Sequence, residues 1–233
     1  MMALPLSFRH GNGRIDVAVS ELILIGFGGR DPVHVRAHIA EMAMLGVEPP
    51  PSTPCLYPVN PALLTQDDEI TVYGDNTASE VEFVLIASGG QQFVTVGNDQ
   101  FDLEIERLIS AEKSKNLCMK SLAREAWALS DVLGHWDELQ LLLFCSGRKI
   151  QEASVRELMH PHVLLDLVTK NCGAGDGGRV IFSGTIPLLA KAPPTPYSLE
   201  IILNDPVSSS AIRHEFRVNH LSALRNNLTH TQS

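Results

Sequence analysis

The sequence predicts a mainly β protein with a few helices, an α+β chain. Two observations predict it. From residue 69 onward, short runs of β-branched, aromatic and aliphatic residues recur between Gly, Ser, Asn and Asp turns, the pattern of strands. A single strand–helix unit precedes them, so the alternation that builds a parallel α/β sheet is missing. In chain order, ELILIGF at 21–27 is a continuous apolar run, as expected of a buried strand. Asp31 can cap a helix with Pro32 at its first position, and VHVRAHIAEMAML then runs to Gly46, a natural stop. EPPPSTP at 48–54 reads as a stiff surface connector. EITVYG, SEVEFVLIA and QFVTVG follow as strands, and DLEIERLISAEKSK interrupts them as a helical stretch. LQLLLFCSG pairs with RKIQEA across Ser146-Gly147. Ser154, with Glu157 three residues on, makes a capping box for VRELMHPHVLLDLV, a helix that Pro161 kinks or delays. The loop CGAGDGG leads into the strand RVIFSGTIP, and YSLEIILN and AIRHEFRV are the last strands. The chain so divides into an N-terminal strand–helix segment with its connector (1–68), a β domain (69–225) and a frayed tail (226–233).

With 44% hydrophobic and 19% charged residues over 233 positions, the composition is that of a globular protein large enough for one substantial core. No apolar run reaches the roughly 18 residues that span a bilayer. The start, MMALPLSFRHGNGRID, lacks the basic and apolar regions of a signal peptide. Cys55, Cys118, Cys145 and Cys172 are scattered without a C-x-x-C, as expected of reduced thiols in a cytoplasmic protein. A net charge of −9 argues against nucleic acid or an anionic membrane as a partner.

The chemistry concentrates in Glu80, Glu82, Asp99 and Lys115. Alternation along a strand places Glu80 and Glu82 on one face, their Cα atoms about 6–7 Å apart. The next strand follows a Ser-Gly-Gly-Gln turn and ends on Asp99, which joins the glutamates when the two strands pair as a hairpin. Three clustered carboxylates repel unless a cation neutralises them, and hard oxygen ligands favour Mg²⁺, Mn²⁺ or Ca²⁺. The bland alternative is a solvated strand face with an unrelated loop aspartate.

Other motifs carry less. GFGGRD follows an apolar strand and precedes a helix, but the third glycine of a dinucleotide fingerprint is here Asp31, and no further βαβ unit follows. CGAGDGG reads as a connecting loop. His160 and His162 lack matching zinc partners and read as structural or solvated. His38 and Glu41 lie three apart on one helix face, where a carboxylate beside an imidazole would suit a general base; a surface pair that merely supports the helix is the plainer account.

Taken in order, these pieces resemble the fumarylacetoacetate hydrolase superfamily, from about Leu22 to Val218, and an uncharacterised bacterial branch of it in particular. IGFGGRDPVHVRAHIAEM resembles its first strand and H-x-x-E helix, and EITVYG with SEVE its E-x-E metal pair. VTVGNDQFD resembles its Asn-Asp motif, SKNLCMKSLAREAW its Ser-Lys-Gly segment, and FCSGRKIQEASVRELM its hairpin, glutamine and methionine-bearing helix. GGRVIFSGTIP is similar to the strand that ends in Thr-Gly-Thr-Pro. The resemblance implies a distorted β-roll or barrel core over 69–225, a bound Mg²⁺ or Mn²⁺ and a homodimer. It implies metal ligands Glu80, Glu82 and Asp99, an active-site lysine in Lys115, and a water-activating dyad of His38 and Glu41 on a mobile lid. Thr185 matches a substrate-contacting threonine, and Gln151 the hairpin glutamine.

The sequence also departs from the pattern. Leu103-Glu104 stands where the family has Arg-Asp, which removes a cation for a carboxylate, and Arg30 is the candidate replacement. The loop after Thr185 lacks the final glycine, and Glu82 and Asp99 are closer in sequence than usual. The expected function is therefore a metal-dependent hydrolase or lyase on a small 2-oxo or 1,3-diketo acid, through a metal-stabilised enolate. The alternative is a non-catalytic relative that binds a metabolite, or a structural or interaction protein of the same fold.

Overall fold

A computed structural model describes residues 3–221 except 45, 47, 51 and 176, and except the side chain of residue 38. The tail expected over 226–233 lies outside the described residues. The chain opens with β1 (Leu4–His10), β2 (Gly13–Gly26), α1 (Pro32–Met44), β3 (Cys55–Val59), β4 (Leu64–Thr65) and β5 (Glu69–Val72). Then come β6 (Thr77–Ser88), β7 (Gln91–Asp102), α2 (Leu103–Leu108), α3 (Ala111–Lys115), β8 (Lys120–Leu122), β9 (Trp127–Ala128) and α4 (Leu129–Val132). The chain ends with β10 (Gln140–Cys145), β11 (Arg148–Ser154), α5 (Pro161–Cys172), β12 (Gly178–Phe182), β13 (Tyr197–Asp205) and β14 (Ser210–His220).

Two sheets result. Nine strands form the first, in the order β1-β2-β12-β6-β7-β8-β4, with β3 also on β2 and β9 also on β7. The second has the order β11-β10-β13-β14-β5. The first sheet rolls until its ends meet. Arg9 N donates to Arg124 O (2.7 Å) and Ala126 N to Arg9 O (2.9 Å), which joins β1 to the segment before β9. This is the mainly β roll with a few helices that the sequence predicts, and the N-terminal strands are built into the same sheet as β6 and β7.

The continuous apolar runs follow from this arrangement. Ile23, Ile25, Val81, Phe83 and Leu85 pack toward the second sheet in the larger core. Leu22, Leu24, Val84 and Ile86 alternate with them and fill the inside of the roll with Phe8, Leu122 and Phe182. A strand covered on both faces has no polar face to show. β10 and β13 bury Leu141, Leu143, Leu199, Ile201 and Leu203 in the larger core.

Several boundaries differ from the expected ones. β1 and the first half of β2 carry alternating apolar residues around Gly11-Asn12-Gly13 and form a hairpin beyond the strands expected above. The stretch after Asp102 splits into α2 and α3, because Ser110 starts a new helix by accepting from Lys113 N at 3.2 Å. Pro161 begins α5 rather than kinking it, and Ser154 instead caps the short 3₁₀ turn Val155–Glu157 through Arg156 N (3.1 Å). None of the four cysteines forms a disulfide. Among the described residues no helix is long and apolar enough to cross a membrane.

Candidate metal centre

β6 and β7 turn at Ser88-Gly89-Gly90-Gln91, where both glycines take positive φ (58° and 77°), the backbone that a tight antiparallel turn requires. The turn fixes the register, placing Glu80 opposite Asp99 and Glu82 opposite Gly97. β8 extends the row by pairing Asp99 with Lys120. Glu80, Asp99 and Lys120 therefore stand side by side on three neighbouring strands, and Glu82 follows two residues along the same face. One oxygen from each of Glu80, Glu82 and Asp99 lies within 4.8 Å of the others. Glu82 and Asp99 are buried, and Glu80 keeps 22% of its side chain open. The site therefore lies inside the protein, and the alternative of a solvated strand face does not hold.

α3 brings Lys115 over this row. Ser114 Oγ donates to the carbonyl of Asp102, which lays the helix across the end of β7. Lys115 Nζ donates to Asp99 Oδ2, stands 3.7 Å from Glu80 Oε2 and sits 4.5 Å from the centre of the Phe101 ring. Lys120 Nζ lies 2.7 Å from Asp99 Oδ1 and donates to the carbonyl of Gln100. Asp99 thus has an ammonium beside each of its oxygens.

The loop after β12 closes the site from the other side. Gly184 N donates to Glu82 Oε2 (2.7 Å), and Gly184 has φ of 83°, which favours glycine there. Thr185 Oγ1 donates to Val81 O (2.9 Å) and accepts from Gln151 Nε2 (2.9 Å). Gln151 is fully buried; it also donates to Ile186 O (2.6 Å) and accepts from Val81 N (2.9 Å). In this structure Thr185 and Gln151 tie β6 to the loop, with Val81 held between the two glutamates.

The residues fit a divalent ion. Three carboxylates supply hard oxygen donors, one from each residue within 4.8 Å of the others. The protonation behaviour points the same way. Loss of solvation pushes Glu80 up to about 7 against the pull of Lys115, and it raises Glu82 well above the usual carboxylate range. Burial would raise Asp99 too, but the ammoniums of Lys115 and Lys120 hold it low. The carboxylates around Lys115, Asp99 foremost, outweigh its own burial and raise it.

A pH dependence follows. Glu80 titrates near 7 in the fold against an ordinary 4.5, so between those values the metal-free fold holds a proton that the unfolded chain releases. Metal-free stability should fall as pH rises through that window. A divalent ion needs the deprotonated carboxylates, so its stabilisation should grow over the same window. Melting temperatures in EDTA and in Mn²⁺ at pH 5.5 and 8.0 check this. Equal Mn²⁺ shifts at the two pH values would count against it.

His38 and Glu41 both fall in α1; the side chain of His38 lies outside the described residues, and Glu41 is exposed. Arg30 makes a bidentate pair with Asp137 (2.9 and 2.8 Å) and donates to Leu158 O (3.0 Å). Arg30 N also donates to Glu157 O, and Met159 N to Gly28 O (both 2.8 Å). An added Cβ on Gly28 would sit 2.5 Å from Ser183 O, so the glycine permits close packing against the site loop. The chain entering α1 is anchored through Arg30. Leu103 is exposed at the start of α2. Lys120, the Gly184 amide and Glu106 join the site with no local sequence signal to mark them. Burial raises Glu106, whose charge interacts with Lys115 and Asp99.

The family described as "Protein of unknown function (DUF2848)" matches residues 25–216. No curated protein matches the sequence. Among solved structures, a candidate fumarylacetoacetate isomerase/hydrolase from Oleispira antarctica is 16% identical with a TM-score of 0.65, over 91% of this chain and 98% of that one. Fumarylpyruvate hydrolase from Pseudomonas aeruginosa, in complex with Mn²⁺ and pyruvate, is 14% identical with a TM-score of 0.64, over 93% and 96%. A 5-carboxymethyl-2-hydroxymuconate delta-isomerase from Mycobacterium smegmatis is 16% identical with a TM-score of 0.62, over 88% and 78%.

Proposed function

We propose a metal-dependent oxo-acid enzyme for this chain, which belongs to the DUF2848 family and has the fold of the fumarylacetoacetate hydrolase superfamily. The reaction is hydrolysis or lysis of a small 2-oxo or 1,3-diketo acid, with Mg²⁺ or Mn²⁺ held by Glu80, Glu82 and Asp99. The observation that carries this reading is the buried convergence of those carboxylates, with Lys115 on Asp99. The similarly folded hydrolase that holds Mn²⁺ and pyruvate supports it.

The bound ion would supply positive charge that polarises an oxo group. The chain's own residues do the rest. Gly184 orients Glu82, and Lys115 adds a second positive charge where electron density builds up. Thr185 and Arg30 are proposed substrate contacts, and Gln151 holds Thr185 in place. His38, with Glu41 as its partner in the dyad, would take a proton from water or from carbon. A second reading, a relative that binds a metabolite without turning it over, draws on Leu103 in place of an arginine and on Arg30 being paired to Asp137.

Turnover decides between them. Mn²⁺-loaded protein is expected to release pyruvate from oxaloacetate or from an acylpyruvate. Binding of oxalate with no turnover of either would favour the second reading. The proposed assembly is a homodimer, on the family resemblance alone, and the location is the cytoplasm. Light scattering at micromolar protein checks the assembly, and a monomeric mass would remove it from the proposal.

A further inference from the structure

Lys120 is the feature of this site that the proposed function leaves unused. It is fully buried in β8, in register with Asp99, with its Nζ 2.7 Å from Asp99 Oδ1. A second contact, to the carbonyl of Gln100, ties the ammonium to the backbone of β7. It therefore cannot retreat into solvent when another cation arrives. Lys115 differs, since it sits on the last turn of a five-residue helix with 9% of its side chain open. A divalent ion on Asp99 would have the Lys120 charge a few ångströms away, in surroundings that screen it poorly.

The surrounding charges are few enough to count. Glu80, Glu82 and Asp99 face the centre, Glu106 interacts with it from α2, and Lys115 and Lys120 oppose them. Counted together, the four carboxylates and two lysines carry a net −2, which a divalent ion would bring to zero. What opposes the ion is therefore local: the Lys120 ammonium fixed 2.7 Å from Asp99 Oδ1. An anionic chelating ligand on the ion would offset that local repulsion.

We propose that Lys120 is a positioning residue that makes occupancy of the centre depend on an anionic ligand, so that a divalent ion binds tightly only together with a carboxylate-bearing chelator. The inference rests on the reading of the carboxylate trio as a metal site. Coupling of this kind is reciprocal, so the ion and the chelator tighten each other by the same factor. Lys120 also holds Asp99 in its row while it sets this charge.

Calorimetric titration of metal-free protein with Mn²⁺, with and without oxalate, tests the proposal. In the unaltered protein oxalate should tighten Mn²⁺ by at least about tenfold. Lys120→Gln keeps a donor near the Gln100 carbonyl and removes the charge. It should bind Mn²⁺ alone about tenfold more tightly or better, and the oxalate effect should shrink severalfold. Lys120→Arg keeps the charge and should retain the oxalate dependence. Lys120→Met is a second neutral variant, read in the same way should Lys120→Gln fail to fold. An oxalate effect below tenfold in the unaltered protein overturns the proposal without any variant. So does a folded neutral variant with unchanged Mn²⁺ affinity, and in both cases the metal reading survives. Absence of Mn²⁺ binding with and without oxalate would sink the metal reading, and this proposal with it.

Discussion

Asp99→Asn is expected to abolish measurable divalent-ion binding and to destabilise the fold by about 3–5 kcal/mol. Asp99 is the one carboxylate shared by both buried ammoniums, with Lys115 on Oδ2 and Lys120 on Oδ1. Asparagine fills the same space but carries no charge. Lys115 would lose its nearest carboxylate and keep Glu80 at 3.7 Å, and Lys120 would be left buried with a backbone carbonyl. Breaking a buried pair from one side leaves the other charge uncompensated, which is why the loss exceeds that of a surface salt bridge. Denaturant unfolding together with Mn²⁺ calorimetry measures both effects. A variant with an unchanged unfolding midpoint and retained Mn²⁺ binding would refute the shared role of Asp99.

His38→Ala is expected to lower turnover by about 10²–10⁴-fold while leaving Mn²⁺ affinity within a factor of about three. The separation follows from the fold. The ligand trio stands on the β6–β7 hairpin, whereas His38 belongs to α1, which enters the fold past the anchored Arg30. A general base acts only when deprotonated, so activity of the unaltered protein should rise with pH through the imidazole range, and the variant should lose that limb. Steady-state kinetics on oxaloacetate or an acylpyruvate, run beside a metal titration, provide the check. Full activity in the variant would remove His38 from the reaction and leave the metal centre intact.

Much of the centre was legible because it is local. A period of two puts Glu80 and Glu82 on one face, and a Gly-Gly turn between apolar strands sets Asp99 opposite Glu80. These rules act over a few residues and need no knowledge of the rest of the chain. Lys115 was named instead from the resemblance of SKNLCMKSLAREAW to the family's Ser-Lys-Gly segment. Glu106 and Lys120 were not legible. One is a charged residue on a short helix, and the other follows a cysteine and a methionine with nothing to mark its partner.

The sequence by itself determined the strand content, the β6–β7 hairpin and the identity of three converging carboxylates, since alternation and turn chemistry are properties of neighbouring residues. Only the tertiary structure decided that this face lies inside a closed roll. The join between β1 and residues 124–126, and the addition of β8 beside β7, depend on partners far apart in the chain. That closure turns an ordinary acidic strand face into a buried one. It raises Glu80 and Glu82 through lost solvation and sets Lys120 against Asp99. The affinity of the centre for a cation is thus a property of burial and cross-strand pairing, which no local pattern in the sequence encodes.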